Sequence, residues 1–294
     1  MRDRTAAVFA TLALGFAGLY WLAVTLSRSG ALPFSMEKAD FVRQSVPGTI
    51  VWLVFSNFGP AIAGVVALAV CRGRGAVAAL GRSIVQWRVP ARLYVMGWFG
   101  LLINAAVVIA GYATHTLRFD PGAFHLVKFV LLFFVMIPLD GPLGEEIGWR
   151  GVLLPSLLER RSPLAAAVIV GVIWYAWHVP LYAVDAKMTT AAEHLFFLYT
   201  CVALSVIFTW FFLKSNGSTF LAIYLHAASN YSTFFRFKLF PKIADTPVIT
   251  YAYGGTLLLL AALAAVKLSA ARSEFIPRED EGSSATPHCS SHEA

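Results

Sequence analysis

Seven stretches of this chain contain no charged residue, and each is long enough to cross a membrane. A helix needs about 20 apolar residues, rising about 1.5 Å per residue, to span the roughly 30 Å hydrocarbon core of a bilayer. The stretches therefore predict transmembrane helices within residues 5–27, 44–71, 93–117, 162–184, 194–213, 215–235 and 246–266.

An eighth region, residues 124–159, is apolar but contains ionisable side chains, so it predicts a span that polar groups interrupt. Proline and glycine residues at 138–144 predict a break, with a new helix beginning near Pro142. The N-terminus of that helix would direct its free N–H groups toward the glutamates that follow. The expected fold is therefore all-α, a polytopic integral membrane protein with about eight transmembrane helices around a polar cavity.

The composition agrees with a membrane protein and excludes other classes. Of the 294 residues, 58% are hydrophobic and 13% are charged, whereas soluble domains have about 25% charged residues. The three cysteines, Cys71, Cys201 and Cys289, are too far apart for a metal or redox motif. The net charge of +7 suits anionic lipids better than DNA or RNA, so we expect membrane lipids as partners and no nucleic acid.

The distribution of basic residues predicts the orientation of the chain. Eight spans place both termini on one side, and that side carries fourteen of the 23 Lys and Arg residues. Positive residues accumulate in cytoplasmic loops, so we expect both termini in the cytoplasm and the chain in a bacterial inner membrane. We divide it into N-terminal membrane helices (residues 1–123), a catalytic core (124–268) and a disordered cytoplasmic tail (269–294).

Three clusters of polar residues lie inside the predicted spans, where ionisable groups are costly and usually functional. The first cluster contains Glu145, Glu146 and Arg150. On a helix, Glu146 and Arg150 are four residues apart and share a face, so we expect them to pair and to leave Glu145 pointing elsewhere. A structural ion pair needs one carboxylate, and this cluster has two.

The second and third clusters each contain a histidine. His178 follows an aromatic residue by one helical turn, and His226 precedes Asn230 by the same spacing. Glu145 lies 16 residues before Arg161 and His178 lies 17 residues after it, so a helical hairpin that turns there brings the two side chains level. His226 is less deep, and a tilted or bent helix is needed to bring it to them.

These side chains are suited to peptide hydrolysis, which needs an activated water, a base and donors for the tetrahedral oxyanion. Glu145 is the predicted base, and His178 would orient the water or bind a metal. His226 and Asn230 would supply donors to the oxyanion. A zinc ion bound by His178, His226 and Glu145 is equally open, since two imidazoles and one carboxylate leave a fourth position for water.

The clusters resemble the motifs of the CPBP or Abi family of glutamate-type intramembrane proteases, which includes type II CAAX prenyl endopeptidases and lysostaphin-resistance-like proteins. The three motifs are Glu-Glu-x-x-x-Arg beginning at Glu145, aromatic-x-x-x-His ending at His178, and His-x-x-x-Asn beginning at His226. The resemblance covers about residues 124–232. It departs at Trp174, where the family usually has Phe, and this change is expected to alter the substrate cavity.

The resemblance implies an all-helical membrane fold with a water-filled cavity that opens to the cytoplasm. It implies Glu145 and His178 as the principal catalytic pair. It also implies that four residues have supporting roles, namely Glu146, Arg150, His226 and Asn230. The substrate would be a membrane-embedded, prenylated or otherwise lipid-anchored peptide.

The sequence therefore predicts an intramembrane endopeptidase that activates water with a glutamate and a histidine. A non-proteolytic scaffold or bacteriocin-immunity protein with the same fold is one alternative, and a proton-coupled transporter that uses Glu145 and Arg150 as a relay is another. A Glu145→Ala variant separates protease from scaffold, because a scaffold keeps its phenotype without this carboxylate.

Overall fold

The computed structural model of the protein describes residues 4–34, 46–115, 131, 133–134, 141–184, 188–240 and 247–270. Within these residues all regular structure is helical and there is no strand, which confirms the predicted all-α fold. Two of the described segments form π-helical turns, at Trp52–Asn57 and Trp149–Leu153. The α-helices are α1 (Thr5–Arg28), α2 (Val46–Val51), α3 (Gly59–Cys71), α4 (Arg74–Ile84), α5 (Ala91–Met96), α6 (Phe99–Ala113), α7 (Pro142–Gly148), α8 (Leu154–Leu158), α9 (Pro163–Val184), α10 (Ala191–Lys214), α11 (Thr219–Leu239) and α12 (Pro247–Ala270).

Helix α1 divides its surface between protein and lipid. Its buried apolar residues recur every three or four positions, as a single helical face requires, and they are Phe9, Ala13, Ala17, Tyr20 and Val24. This face packs against α3 and α9, and the ring of Phe9 meets the ring of Trp149 edge to face, 5.2 Å between centroids. The opposite face exposes Leu19, Trp21 and Leu22, as a surface in contact with lipid should.

The span predicted within residues 44–71 is bent. The first part ends with the π turn at Asn57, α3 begins at Gly59, and the two parts differ in direction by 59°. Pro60, in the first turn of α3, has no N–H group to continue the preceding helix. The bend brings the carbonyl of Pro60 against α7, where a Cβ on Gly148 would lie 2.5 Å from the carbonyl oxygen, so this approach requires glycine.

The helix that carries the first motif begins where the sequence predicts. Gly141, with φ of 95°, precedes Pro142, and α7, the π turn at Trp149–Leu153 and α8 follow without interruption. Pro142 occupies the first turn, where its missing N–H group breaks no helical hydrogen bond. The predicted helix start near Pro142 is therefore confirmed, whereas residues 135–140 and the predicted tail beyond residue 270 lie outside the described residues.

The described helices are those of an integral membrane protein, although fewer than eight qualify as spans. The bent pair of α2 and α3 qualifies if it counts as one span. Two predicted spans do not qualify among the described residues. For the span predicted within residues 124–159, the helical part that the structure describes, residues 142–158, is short. For the span predicted within residues 215–235, α11 carries several polar residues, including His226 and Asn230. Five described segments are long and apolar enough, the second of them made of α5 and α6: Thr5–Arg28, Ala91–Ala113, Pro163–Val184, Ala191–Lys214 and Pro247–Ala270.

Two clusters of buried apolar side chains meet around the motifs. One joins α1, α3, residues 142–158 and α9, and the other joins α6, α10, α11 and α12. Trp174 belongs to the first cluster and Phe208 to the second, and their ring centroids lie 6.4 Å apart. The polar side chains beside these two rings therefore lie where the two clusters join.

Candidate functional site

Glu145 lies in the first turn of α7, with its carboxylate folded back toward the start of the helix. Its backbone N–H donates to the carbonyl of Gly141 at 2.8 Å. Its Oε1 atom occupies the space that a Cβ on Gly141 would need, and its Oε2 atom accepts a hydrogen bond of 2.6 Å from Nε1 of Trp174. A helix N-terminus favours a negative charge, so the local fold suits an ionised carboxylate here.

Glu146 is the centre of a buried group that we call the ion cluster: Glu146, Arg150 and His226. Its Oε1 atom accepts hydrogen bonds from Nη1 of Arg150 and from Nδ1 of His226, each of 2.8 Å. The side chains of Glu146 and Arg150 have no exposed surface, and that of His226 is 6% exposed. The predicted pairing of Arg150 with Glu146 is confirmed.

Two aromatic rings enclose the guanidinium group of Arg150. Its Cζ atom lies 4.9 Å from the ring centroid of Trp174 and 4.7 Å from that of Phe208. Aromatic faces attract a cation, so the two rings help to stabilise a charge that is removed from water. Phe208 was not identifiable from the sequence, because α10 carries no motif and nothing marks one phenylalanine among many.

His178 has a defined tautomer when its ring is neutral. Its Nδ1 atom is 2.9 Å from the carbonyl oxygen of Trp174, one turn earlier in α9. A carbonyl only accepts hydrogen bonds, so Nδ1 carries the proton and Nε2 carries the lone pair. Three aromatic rings pack around the imidazole, with centroid distances of 4.7 to 5.2 Å, and they belong to Trp177, Tyr182 and Phe197.

The third motif contacts the first two, a point that the sequence alone did not decide. His226 on α11 contacts Glu146 directly, and its ring centroid lies 5.5 Å from that of Trp174. Asn230 follows one turn later and is half-buried, and no described residue forms a hydrogen bond with its side chain. Five of the six predicted residues are thus linked through Trp174 or the ion cluster, and Asn230 stands beside them.

The three predicted zinc ligands do not form a metal-binding group. Among the residues that the structure describes, no three His, Cys, Asp or Glu side chains are placed to hold one ion. The Nδ1 atom of His226 contacts Glu146 and that of His178 a backbone carbonyl, so Nε2 of each ring would be the atom available to an ion. The donors as arranged do not fit a tetrahedral zinc ion, which needs them at about 2.0–2.2 Å.

The central part of the chain is similar to a known protein family. Residues 124–232 match the family described as type II CAAX prenyl endopeptidase Rce1-like. The Rce1-like segment contains all six predicted site residues, from Glu145 to Asn230, and the resemblance seen in the sequence is therefore confirmed.

A curated relative extends the similarity beyond the Rce1-like segment. The CAAX prenyl protease 2 of Methanococcus maripaludis is 30% identical over an alignment of 175 residues, and the alignment covers 55% of this chain. The match spans 61% of the length of that protein. The similarity thus reaches outside residues 124–232 but leaves a substantial part of both chains unmatched.

Proposed function

We propose that this protein is an intramembrane endopeptidase that hydrolyses a peptide bond in a lipid-anchored substrate. The observation that carries the proposal is the difference between two adjacent carboxylates. Glu146 is bound by a cation and a histidine, whereas Glu145 is bound by one neutral donor, Trp174, whose backbone carbonyl accepts from His178. A base needs a carboxylate that can gain and lose a proton, and Glu145 meets that need.

Glu145 and His178 would act on the same water molecule. The Glu145 carboxylate accepts one hydrogen of this water and the Nε2 lone pair of His178 accepts the other, so the water oxygen is directed at the substrate. Glu145 takes the proton as the oxygen attacks the peptide carbonyl carbon. When the C–N bond breaks, Glu145 returns that proton to the leaving amine, and the other product is a carboxylic acid.

The third motif would stabilise the oxyanion that forms during attack. Asn230 offers an amide N–H group, and His226 offers Nε2, because its Nδ1 donates to Glu146. An Nε2 donor requires the protonated imidazole, whose charge Glu146 balances. The two glutamates, Arg150 and this imidazolium then sum to zero charge, which suits a site removed from water.

The substrate and the orientation follow from the same proposal. The matched family and relative are described as CAAX prenyl endopeptidases, so a prenylated peptide is the substrate class to test first. The basic loops predict a site that opens to the cytoplasm, with both termini on that side of a bacterial inner membrane. Zinc dependence stays a separate prediction from the sequence.

The decisive experiment uses the purified protein in liposomes with a farnesylated peptide that ends in a CAAX sequence. We expect release of the residues after the prenylated cysteine, detected by mass spectrometry. Glu145→Gln should lower the rate by about 10²- to 10⁴-fold, because it removes the base. The matched control is Glu159→Gln, which breaks the half-exposed pair with Arg72 and should leave the rate within about twofold.

The same assay separates the other classes of function. Cleavage by Glu145→Gln at the rate of the unaltered protein would overturn the proposal. Failure of the unaltered protein to cleave any lipidated peptide, with a cellular phenotype that Glu145→Ala retains, would indicate a scaffold, and proton flux lost in Glu145→Gln would indicate a transporter. A metal chelator should change the rate by less than about twofold, and loss that zinc restores would favour the zinc alternative.

A further inference from the structure

The connection between two membrane-spanning segments concentrates positive charge. The bent pair of α2 and α3 ends at Cys71, the span made of α5 and α6 begins at Ala91, and five arginines lie at positions 72–92. No Asp or Glu occurs anywhere in residues 41–119. The charge of this connection is therefore not balanced by acidic residues close to it in the chain.

Arg72 differs from the other four arginines because it has an acidic partner. Its Nη1 and Nη2 atoms donate to the two carboxylate oxygens of Glu159, at 2.6 and 3.0 Å. Glu159 belongs to the connection between α8 and α9, so this pair places both connections at the same face of the membrane. The other four arginines are exposed and form no ion pair within the described part of the chain: Arg74, Arg82, Arg88 and Arg92.

Helix α4 packs with one side and presents two of these arginines on the other. Leu80 is buried against Gly151, where a Cβ would lie 2.5 Å from Cδ1 of Leu80. The hydroxyl of Ser83, on the same side, forms a hydrogen bond of 2.9 Å with a hydroxyl of α11. Arg74 and Arg82 lie on the opposite side, about 12 Å apart along the helix axis. Both guanidinium groups therefore face away from the protein.

The segment after α4 adds an aromatic ring to this charge. Trp87 is 58% exposed, and Cζ of Arg88 lies 5.2 Å from its ring centroid. The backbone here is fixed, because the carbonyl of Trp87 accepts from the hydroxyl of Tyr94 at 2.6 Å and Gln86 donates to a carbonyl of the connection between α10 and α11 at 3.0 Å. Tryptophan is enriched where headgroups meet the hydrocarbon core. An exposed indole beside an arginine therefore suits the surface of a membrane.

We propose that five side chains of this connection form a docking surface for the headgroups of anionic phospholipids. We call it the arginine surface, and it consists of Arg74, Arg82, Trp87, Arg88 and Arg92. A guanidinium group matches the oxygens of a phosphate with two parallel N–H donors, and the indole packs against the carbon chain next to the headgroup.

The position of the arginine surface favours lipid over a soluble acidic partner. The surface connects the ends of two spans, so it lies at the level of the headgroups, and lipids of that leaflet are always adjacent to it. A soluble partner would have to displace them. The proposal goes beyond the proposed function and holds whether or not the protein cleaves peptides.

Native mass spectrometry of the full-length protein in detergent tests the proposal. It measures the apparent Kd for phosphatidylglycerol and for phosphatidylcholine with the same acyl chains, and we expect phosphatidylglycerol to bind at least about tenfold more tightly. One arginine at the headgroups contributes about fivefold, so Arg82→Gln combined with Arg88→Gln should weaken phosphatidylglycerol binding by about 25-fold. Binding of phosphatidylcholine should stay within about twofold, because its headgroup has no net charge.

The matched control is Arg160→Gln combined with Arg161→Gln. These arginines are exposed and follow Glu159, so they lie at the same face of the membrane and carry the same charge. Salt at about 0.15 M screens charges that are more than about 8 Å apart, so the control should leave the Kd for phosphatidylglycerol within about twofold. An equal loss in both double variants would show that net charge alone attracts the lipid, and it would overturn the proposal.

A second measurement needs no arginine variant. Brominated lipids quench an indole that they contact, and the part of the fluorescence that Trp87→Phe removes belongs to Trp87. This part should be quenched by brominated phosphatidylglycerol at lower concentrations than by brominated phosphatidylcholine. Equal quenching, or an equal Kd for the two lipids, would overturn the proposal. Displacement of the lipid by equimolar glycerol phosphate or by a polyglutamate peptide would also overturn it, because the surface would then bind a soluble anion.

Discussion

Glu145 and Glu146 are neighbours in the chain, yet they lie in two different regions of the site. Glu146 belongs to the ion cluster, is fully buried, and binds Arg150 and His226 through one oxygen atom. Glu145 instead accepts from Nε1 of Trp174, whose carbonyl oxygen accepts from His178, and residues 145 and 178 are 6% and 9% exposed. One carboxylate is thus committed to a cation, and the other has a neutral partner and some access to water.

The difference has a physical reason. Removing an ion pair from water costs several kcal/mol per ion, and only close, well-directed contacts between the partners offset this cost. Glu146 therefore cannot give up its charge without leaving Arg150 unpaired. In the proposed mechanism the two carboxylates therefore have separate tasks, since Glu146 holds Arg150 and His226 while Glu145 exchanges a proton with the attacking water.

The largest expected effect comes from breaking the ion cluster. Glu146→Gln leaves the guanidinium group of Arg150 buried without an ionised partner, so the free energy of unfolding should fall by about 3–5 kcal/mol. Glu145→Gln should change it by less than about 1 kcal/mol, because an amide oxygen still accepts from Trp174. Titration with SDS, followed by tryptophan fluorescence in detergent, measures both values.

A double variant serves as the control for this comparison. Glu146→Leu combined with Arg150→Met removes both charges together, so it should recover most of the lost stability without recovering peptide cleavage. Equal stability of Glu146→Gln and the unaltered protein would show that the ion cluster does not hold the fold.

Variants of the two histidines should differ from each other as the two glutamate variants do, but with smaller effects on the free energy of unfolding. His226→Asn loses a bond to ionised Glu146, so we expect a loss of about 1.5–3 kcal/mol in the free energy of unfolding together with lower activity. His178→Asn loses a bond to a carbonyl of its own helix, so stability should change by less than about 1 kcal/mol while kcat falls by about 10³-fold. Unfolding titrations and peptide cleavage are measured on the same preparations.

His194 provides the matched control for both histidine variants. Its Nδ1 atom forms a hydrogen bond of 2.9 Å with the hydroxyl of Tyr175, outside the three motifs. His194→Asn should keep kcat within about twofold of the unaltered protein. The proposed division would be contradicted if His178→Asn lost as much stability as His226→Asn. It would also be contradicted if His178→Asn kept its activity.

Local geometry explains what the sequence could predict. The first span, predicted within residues 5–27, is observed at Thr5–Arg28, because charged residues end an apolar helix. The pairing of Glu146 with Arg150 depends only on helical spacing, and so does the shared turn of His226 and Asn230. These predictions hold because neighbours in the chain determine them.

Contacts between distant helices could not be predicted in the same way. The bend after Asn57 combines a π turn with a close approach to Gly148, and a straight span was the natural expectation from hydropathy. Position 174 was notable in the sequence because it has Trp where the resembled family usually has Phe. Its N–H group contacts Glu145, however, only because α9 packs beside α7. Among the described residues α11 does not qualify as a span by composition for a related reason, since it gives up apolar residues to carry the third motif.

The smallest effect is expected at Asn230, compared with a second asparagine outside the motifs. Asn104 in α6 donates to the carbonyl of Gly100 and accepts from Nε of Arg236, each at 2.7 Å, so its amide supports the fold. Asn104→Ala should lower the free energy of unfolding by about 1–3 kcal/mol and leave kcat within about twofold. Asn230→Ala should do the reverse, with kcat lower by about 10²-fold and little change in stability, because an oxyanion donor acts only during the reaction. The Asn230 amide suits this task because no described residue forms a hydrogen bond with it. Normal kcat in Asn230→Ala would therefore remove this residue from the oxyanion site and leave His226 as the proposed donor.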